Sequence, residues 1–114
     1  MISEQEILDW VERIGRLFTP DRVILFGSYA YGTPVDASDV DVLVVMPFDG
    51  AASGIAMDIW RQTRPDFPVN VLVRRHEDLK RQYAEWDPLV REALDKGKVL
   101  YERDGAPMVA QGRG

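Results

Sequence analysis

The amino-acid sequence predicts an α/β fold in which helices flank a small mixed β-sheet. Three short apolar runs, at residues 23–26, 39–46 and 69–73, have the length and composition of buried strands. Segments with the periodicity of amphipathic helices precede, separate and follow these runs. Helices that alternate with strands are typical of layered α/β domains, since each element buries its apolar face against another.

The N-terminal segment carries the clearest helical pattern. Ser3 followed by Glu6 matches a capping box, in which each side chain accepts a hydrogen bond from the backbone of the other residue. Apolar residues then recur at three- and four-residue steps, at Ile7, Trp10, Val11, Ile14, Leu17 and Phe18. Pro20 disfavours helical geometry at Thr19, so we expect this helix to end there and the first strand to follow.

Further helices are predicted at residues 29–32, 55–63, 76–85 and 88–96. Ser28 is the expected N-cap of the first of these helices, and Asp87 is the expected N-cap of the last. Gly97 ends the last helix, because glycine is common directly after a helix. Residues 99–101 form either a last short strand or an extended segment that packs on the domain.

The composition indicates one globular domain without disulfides. A chain of 114 residues is long enough to bury one core, and we assign the domain to residues 1–103 and a flexible tail to residues 104–114. The absence of cysteine excludes a thiolate metal site and a cysteine nucleophile. No apolar run approaches the roughly 20 residues of a membrane span, and we expect a cytoplasmic protein. The formal net charge of −5 argues against strong nucleic-acid binding, which needs clustered Lys and Arg.

Two carboxylates open the second predicted strand. Because successive side chains of a strand point to opposite faces, Asp39 and Asp41 fall on the same face, a few ångströms apart. Carboxylates at this spacing repel each other until a hard cation such as Mg2+ lies between them. Gly27 and Ser28 follow the preceding strand, where the N-terminus of a helix favours phosphate. The sequence thus predicts a metal and phosphate site where these strand ends meet.

The stretch from Gly27 to Asp41 consists of Gly-Ser, ten further residues and Asp-Val-Asp. This pattern resembles the signature of the DNA polymerase β-like nucleotidyltransferase superfamily, and the small size and N-terminal helix are similar to the minimal nucleotidyltransferases. The resemblance covers about residues 3–103. It implies the nucleotidyltransferase fold and the Mg2+-dependent transfer of an NMP, with AMP from ATP as the expectation, to an acceptor hydroxyl.

The resemblance also implies roles for residues and a class of partner. Gly27 and Ser28 would bind the β- and γ-phosphates, and Asp39 and Asp41 would bind the metal ions. Family members of this size resemble the antitoxin half of toxin–antitoxin pairs, which adenylylate a HEPN ribonuclease or hold it in a complex. Since the chain lacks an obvious acceptor-binding domain, we expect a HEPN-family protein or a homo-oligomer to complete the site.

Two departures from the family pattern bear on turnover. The third carboxylate of the pattern is replaced by Asn70, which offers metal an oxygen ligand but neither a negative charge nor a proton acceptor. Asp66 is a candidate substitute, although it lies four residues away and before Pro68. Relatives often carry an arginine shortly after Gly-Ser, where this chain has Tyr29 and Tyr31. An alternative therefore stays open, namely a catalytically degenerate module that keeps the fold and neutralises its partner by binding.

Overall fold

The computed structural model of the chain describes residues 1–107. Its elements are α1 (Glu4–Phe18), β1 (Arg22–Phe26), α2 (Ser28–Tyr31), β2 (Val40–Val45), α3 (Ala52–Thr63), β3 (Val69–Arg74), α4 (His76–Ala84), α5 (Pro88–Lys96) and β4 (Lys98–Glu102). The strands form one sheet in the order β3-β2-β1-β4. β1 runs antiparallel to β2 and β4, whereas β2 and β3 are parallel, so the predicted mixed sheet is confirmed. Residues 108–114 of the predicted tail lie outside the described residues.

Helices cover both faces of the sheet. α1 and α3 pack on the face that includes Val40, Val42 and Val44, whereas α4 and α5 pack on the face that includes Leu43 and Val45. A strand that is buried on both faces has no solvent-facing side, which explains why β2 is an almost continuous apolar run. The one acidic residue within β2 therefore has a position that core packing does not account for.

The first helix begins and ends where the sequence predicts. The Ser3 Oγ accepts a hydrogen bond from the Glu6 N–H at 3.1 Å, and the Glu6 Oε2 accepts one from the Ser3 N–H at 2.8 Å. α1 ends at Phe18, and Thr19 adopts a left-handed conformation directly before Pro20. The capping box predicted from local spacing is thus confirmed.

A buried hydrogen-bond chain joins α1 to α3. The side chain of Trp10 is fully buried, and its indole N–H donates to the Thr63 Oγ1 at 2.9 Å. The Thr63 hydroxyl in turn donates to the carbonyl of Ile59 at 2.6 Å. Because a buried polar group without a partner is costly, these bonds fix the position of α1 against the end of α3.

Several predicted boundaries differ from those observed by one to three residues. Gly27, with φ of 74°, is the N-cap of α2, so the assignment of Ser28 as N-cap is wrong and Ser28 is the first helical residue. Glycine reaches this φ without strain, which lets the chain turn sharply out of β1. α3 begins at Ala52, three residues earlier than predicted, and Asp39 directly precedes β2 instead of opening it.

The C-terminal segment forms a strand at the edge of the sheet. β4 pairs with β1, which selects the strand from the two alternatives that the sequence left open. The Arg103 side chain, which follows β4, contacts the carboxylate of buried Asp21 at 2.7 Å and closes this end of the domain. No helix among the described residues is long and apolar enough to cross a membrane.

Candidate active site

The predicted site residues meet where the ends of neighbouring strands lie side by side. The parallel pairing of β2 with β3 sets Asp41 opposite Asn70, and the antiparallel pairing of β1 with β2 sets Asp41 opposite Phe26. The N-terminal ends of β2 and β3 therefore lie beside the C-terminal end of β1, where Gly27 begins the turn into α2. Strand pairing brings together residues that lie more than forty positions apart in the sequence.

One amide links the two carboxylates. The Asn70 Nδ2 donates to the Asp41 Oδ1 at 2.9 Å and to the Asp39 Oδ2 at 3.2 Å. The side chain holds the two carboxylate groups together and offsets part of their mutual repulsion. Rotation of the amide group would turn its oxygen toward the same position, because the two ends of an asparagine amide are similar in shape.

Gly27 is packed directly against Asp41. A Cβ atom at position 27 would collide with the Asp41 Oδ2, and the left-handed φ is a second reason for glycine there. Ser28 follows as the first residue of α2, whose initial N–H groups have no acceptor within the helix. The absence of a side chain at Gly27 therefore leaves the Asp41 carboxylate and the start of α2 in direct proximity.

The surroundings of Asp41 disfavour the ionised form of its carboxyl group. Burial raises the pKa of Asp41 above its ordinary value; the hydrogen bond from Asn70 opposes this rise, and the negative charges of Asp39 and Glu92 add to it. A bound cation would relieve both the lost solvation and the repulsion. The site is therefore suited to positive charge beside Asp41.

A cavity of about 350 Å³ opens in front of these groups. Its lining consists of Phe26, Asp41, Asn70, Val71, Leu72, Leu89 and Glu92. The sequence reasoning missed Glu92, for which the only local signal is an acidic residue one turn after Leu89 on α5. Asp66, the substitute considered for the third carboxylate, is not part of this lining.

Tyr31 connects α2 to α5 at the same place. Its hydroxyl donates to the Glu92 Oε1 at 2.8 Å. Burial and this hydrogen bond raise the pKa of Tyr31 to about 12, and the charge of Asp41 contributes to the same rise. Tyr31 thus remains protonated at neutral pH and fixes the direction of the Glu92 carboxylate.

The oxygen groups of the site fit a magnesium ion that arrives with phosphates. Among residues 1–107, no group of three or more His, Asp or Glu side chains is close enough to hold a metal ion. Asp39 and Asp41 supply two carboxylates, and a rotated Asn70 supplies one amide oxygen. Mg2+ commonly binds through one or two carboxylates, with water and substrate phosphates as its other ligands. The donor set therefore suits an ion bound together with a nucleotide.

Paired carboxylates beside a glycine turn form an arrangement suited to phosphate groups together with a metal ion. The family model of the nucleotidyltransferase domain matches residues 7–101, and the chain belongs to this family. It is a nucleotidyltransferase, which confirms the resemblance seen in the sequence.

Known proteins are similar in sequence and in fold. A protein of Methanocaldococcus jannaschii, provisionally named a protein adenylyltransferase, is 33% identical over 82 residues, which cover 70% of this chain and 77% of that protein. The crystal structure of a provisionally assigned nucleotidyltransferase from Sulfolobus solfataricus has a TM-score of 0.61 at 18% identity and covers 93% of this chain and 86% of its own. A toxin–antitoxin structure with AMP-PNP has a TM-score of 0.54 at 22% identity, with coverage of 90% and 76%. The likeness to the Sulfolobus solfataricus structure, together with the family model, shows that the fold is that of the nucleotidyltransferases.

Proposed function

We propose that this protein is an Mg2+-dependent nucleotidyltransferase that moves AMP from ATP to a hydroxyl group of a protein, as the antitoxin of a HEPN ribonuclease toxin. The observation that carries the proposal is the convergence of Asp39, Asp41 and Asn70 beside Gly27. The name of the Methanocaldococcus jannaschii relative supports AMP as the group transferred and a protein as the acceptor. The fold shared with a toxin–antitoxin structure that contains AMP-PNP supports the antitoxin role.

The proposed roles follow from chemistry and position. Asp39, Asp41 and the Asn70 oxygen would hold Mg2+, which when bound would supply positive charge against the negative charge of the triphosphate. Gly27 and Ser28 bind the β- and γ-phosphates at the start of α2. The acceptor oxygen forms a bond to the α-phosphorus while the bond from that phosphorus to the bridging oxygen breaks, and pyrophosphate leaves. Most of the rate acceleration then comes from positioning and charge neutralisation.

The acceptor is proposed to come from another protein. The cavity in front of Asp41 is open to solvent, and its lining includes apolar side chains of β3 and α5 that a protein surface would cover. A HEPN-family protein is the proposed partner, and the reaction is proposed to occur in the cytoplasm. A homo-oligomer is the other arrangement that would complete the site.

A transfer assay tests the enzyme directly. The protein is incubated with ATP labelled at the α-phosphate, Mg2+ and the product of the adjacent gene. We expect label on that product and none when both Asp39→Asn and Asp41→Asn are present, because metal binding is lost. Mass spectrometry then locates the modified hydroxyl.

A second candidate function is neutralisation of the partner by binding alone. The observation that favours it is the Asn70 amide, which satisfies the carboxylates of Asp39 and Asp41 without a cation. In that case the same incubation gives a stable complex and no label on the partner. That outcome would exclude turnover and leave the binding module as the function.

A further inference from the structure

We propose that Glu92, on α5, is the group that accepts the proton of the acceptor hydroxyl. The Asn70 amide cannot accept this proton. This inference rests on the proposed function, since it concerns the same transfer reaction. It adds a catalytic residue that lies outside the Gly-Ser and Asp-Val-Asp pattern.

The position of Glu92 places it beside the candidate metal site. Glu92 lines the same cavity as Asp41 and Asn70, although it comes from a helix that follows β1, β2 and β3 in the chain. α5 packs on the sheet face that carries Asp41. An acceptor that enters the cavity to reach a phosphate held at Asp41 would therefore pass Glu92.

The Glu92 side chain is oriented by one hydrogen bond. The Tyr31 hydroxyl donates to the Glu92 Oε1 at 2.8 Å, and within residues 1–107 this is the single hydrogen bond of the Glu92 side chain. No Lys or Arg among these residues lies within salt-bridge distance of it. A carboxylate that is oriented but not paired with a cation keeps a second oxygen for an incoming hydroxyl.

Glu92 lies outside the hydrogen-bonded group that is the candidate metal site. Asn70 bridges the carboxylates of Asp39 and Asp41, whereas the Glu92 side chain is hydrogen-bonded to Tyr31. Asp39 and Asp41 are therefore the proposed metal ligands, and Glu92 is left to contact the acceptor. Carboxylates that bind a metal are weaker proton acceptors, and the amide of Asn70 accepts no proton at all.

The step that follows is balanced. The hydroxyl oxygen of the acceptor bonds to the α-phosphorus, its proton passes to a Glu92 oxygen, and pyrophosphate leaves with the electron pair of the broken P–O bond. Tyr31 is a positioning residue here, because it acts through Glu92 and retains its own proton.

The test uses water as the acceptor, so that no partner is needed. The whole chain is incubated with Mg2+-ATP, and the release of pyrophosphate and AMP is measured as kcat and KM. Calorimetry measures binding of Mg2+ with α,β-methylene-ATP, which cannot be cleaved at this bond. For Glu92→Gln we expect kcat to fall about 100-fold or more, the usual effect of losing a general base, while KM and the analogue Kd stay within about twofold. Glutamine retains an oxygen for the Tyr31 hydroxyl, so the fold is preserved.

Two further variants sharpen the result. Glu12→Gln, on exposed α1 surface across the sheet from α5, is the matched control and should keep the wild-type kcat. Glu92→Ala leaves space for a small carboxylate, so added formate should restore part of its kcat, which a purely structural role would not allow.

The outcomes separate the inference from the proposed function. Release of pyrophosphate by the wild type and by Glu92→Gln at equal kcat would overturn the inference alone. A Glu92→Gln variant with unchanged kcat but weaker analogue binding would make Glu92 a nucleotide or metal ligand and would also overturn it. If the wild type releases no pyrophosphate and labels no partner, the proposed function fails and the inference fails with it.

Discussion

Replacement of Asn70 by aspartate tests the central geometry of the site. Asn70→Asp creates the third carboxylate of the family pattern at the point where an amide now donates to two carboxylates. We expect the metal-free protein to become less stable and its affinity for Mg2+-ATP to rise. The two effects have one cause, which is the added negative charge beside Asp39 and Asp41.

The magnitude follows from the distances. The new carboxylate lies about 3 Å from two others and loses both hydrogen bonds. Two unit charges 4 Å apart interact by about 1 kcal/mol in water, and the exposure of Asn70 keeps screening near this limit, so the two new charge pairs cost about 2 kcal/mol. With a similar loss from the two hydrogen bonds, the free energy of unfolding falls by about 4 kcal/mol. A domain of this size then melts roughly 15–20 °C lower.

The gain in metal affinity is estimated in the same way. A divalent cation and one added negative charge about 4 Å apart attract by roughly 2 kcal/mol in water. This energy corresponds to a decrease in Kd of more than tenfold. Calorimetry with Mg2+ and a non-cleavable ATP analogue measures it, and thermal denaturation without and with Mg2+ measures the stability change. Saturating Mg2+-nucleotide should return most of the lost melting temperature.

Asn70→Ala is the matched control for charge. It removes the two hydrogen bonds without adding a carboxylate, so we expect about half the loss in stability and no gain in Mg2+ affinity. If Asn70→Asp melts with the wild type in the absence of metal, or binds Mg2+-nucleotide no more tightly, the assignment of position 70 to the metal site is wrong.

Three further predictions concern neighbouring groups and the core. Asp41→Asn should raise the metal-free stability at neutral pH, because burial above all raises the pKa of Asp41 in the folded state. The folded state then holds a proton more tightly than the unfolded state, so wild-type stability recovers as pH falls through the raised pKa. In denaturant titrations, the difference in free energy of unfolding between the variant and the wild type should become smaller on acidification, and a larger difference would contradict the assignment. Gly27→Ala should cost about 1–2 kcal/mol for its left-handed backbone and should weaken Mg2+-nucleotide binding in calorimetry by displacing the Asp41 carboxylate, and unchanged binding would contradict the close packing. Thr63→Val should lower the free energy of unfolding by about 1–3 kcal/mol, because the buried indole N–H of Trp10 loses its acceptor. The combined loss for Trp10→Phe with Thr63→Val should be smaller than the sum of the two single losses, and an additive effect would refute the coupling.

Local patterns in the sequence were sufficient for most of the fold. The capping box of Ser3 and Glu6 and the proline that ends α1 involve residues only a few positions apart, and both features are observed. The apolar runs predicted β1, β2 and β3 to within one residue at each end. Predictions of this kind succeed because helix periods, caps and buried strand runs are set by near neighbours in the chain.

The errors and omissions arise where conformation or long-range contact decides. The N-cap of α2 is Gly27 and not Ser28, since the turn requires a left-handed φ that the side-chain preference for serine does not reveal. The donor role of Asn70 depends on strand pairing across about thirty residues. The position of Glu92 depends on how α5 packs on the sheet, which its helical pattern alone leaves undetermined.

The sequence by itself determined the α/β class, the order of the elements and the pairing of Asp39 with Asp41 on one face, since alternation along an extended chain is a local property. The tertiary structure alone decided that Asn70 bridges those carboxylates and that Glu92, hydrogen-bonded to Tyr31, lines one cavity together with Asp41 and Asn70. The physical reason is that strand register and helix packing are settled by burial of the whole core, which brings distant residues within hydrogen-bond reach.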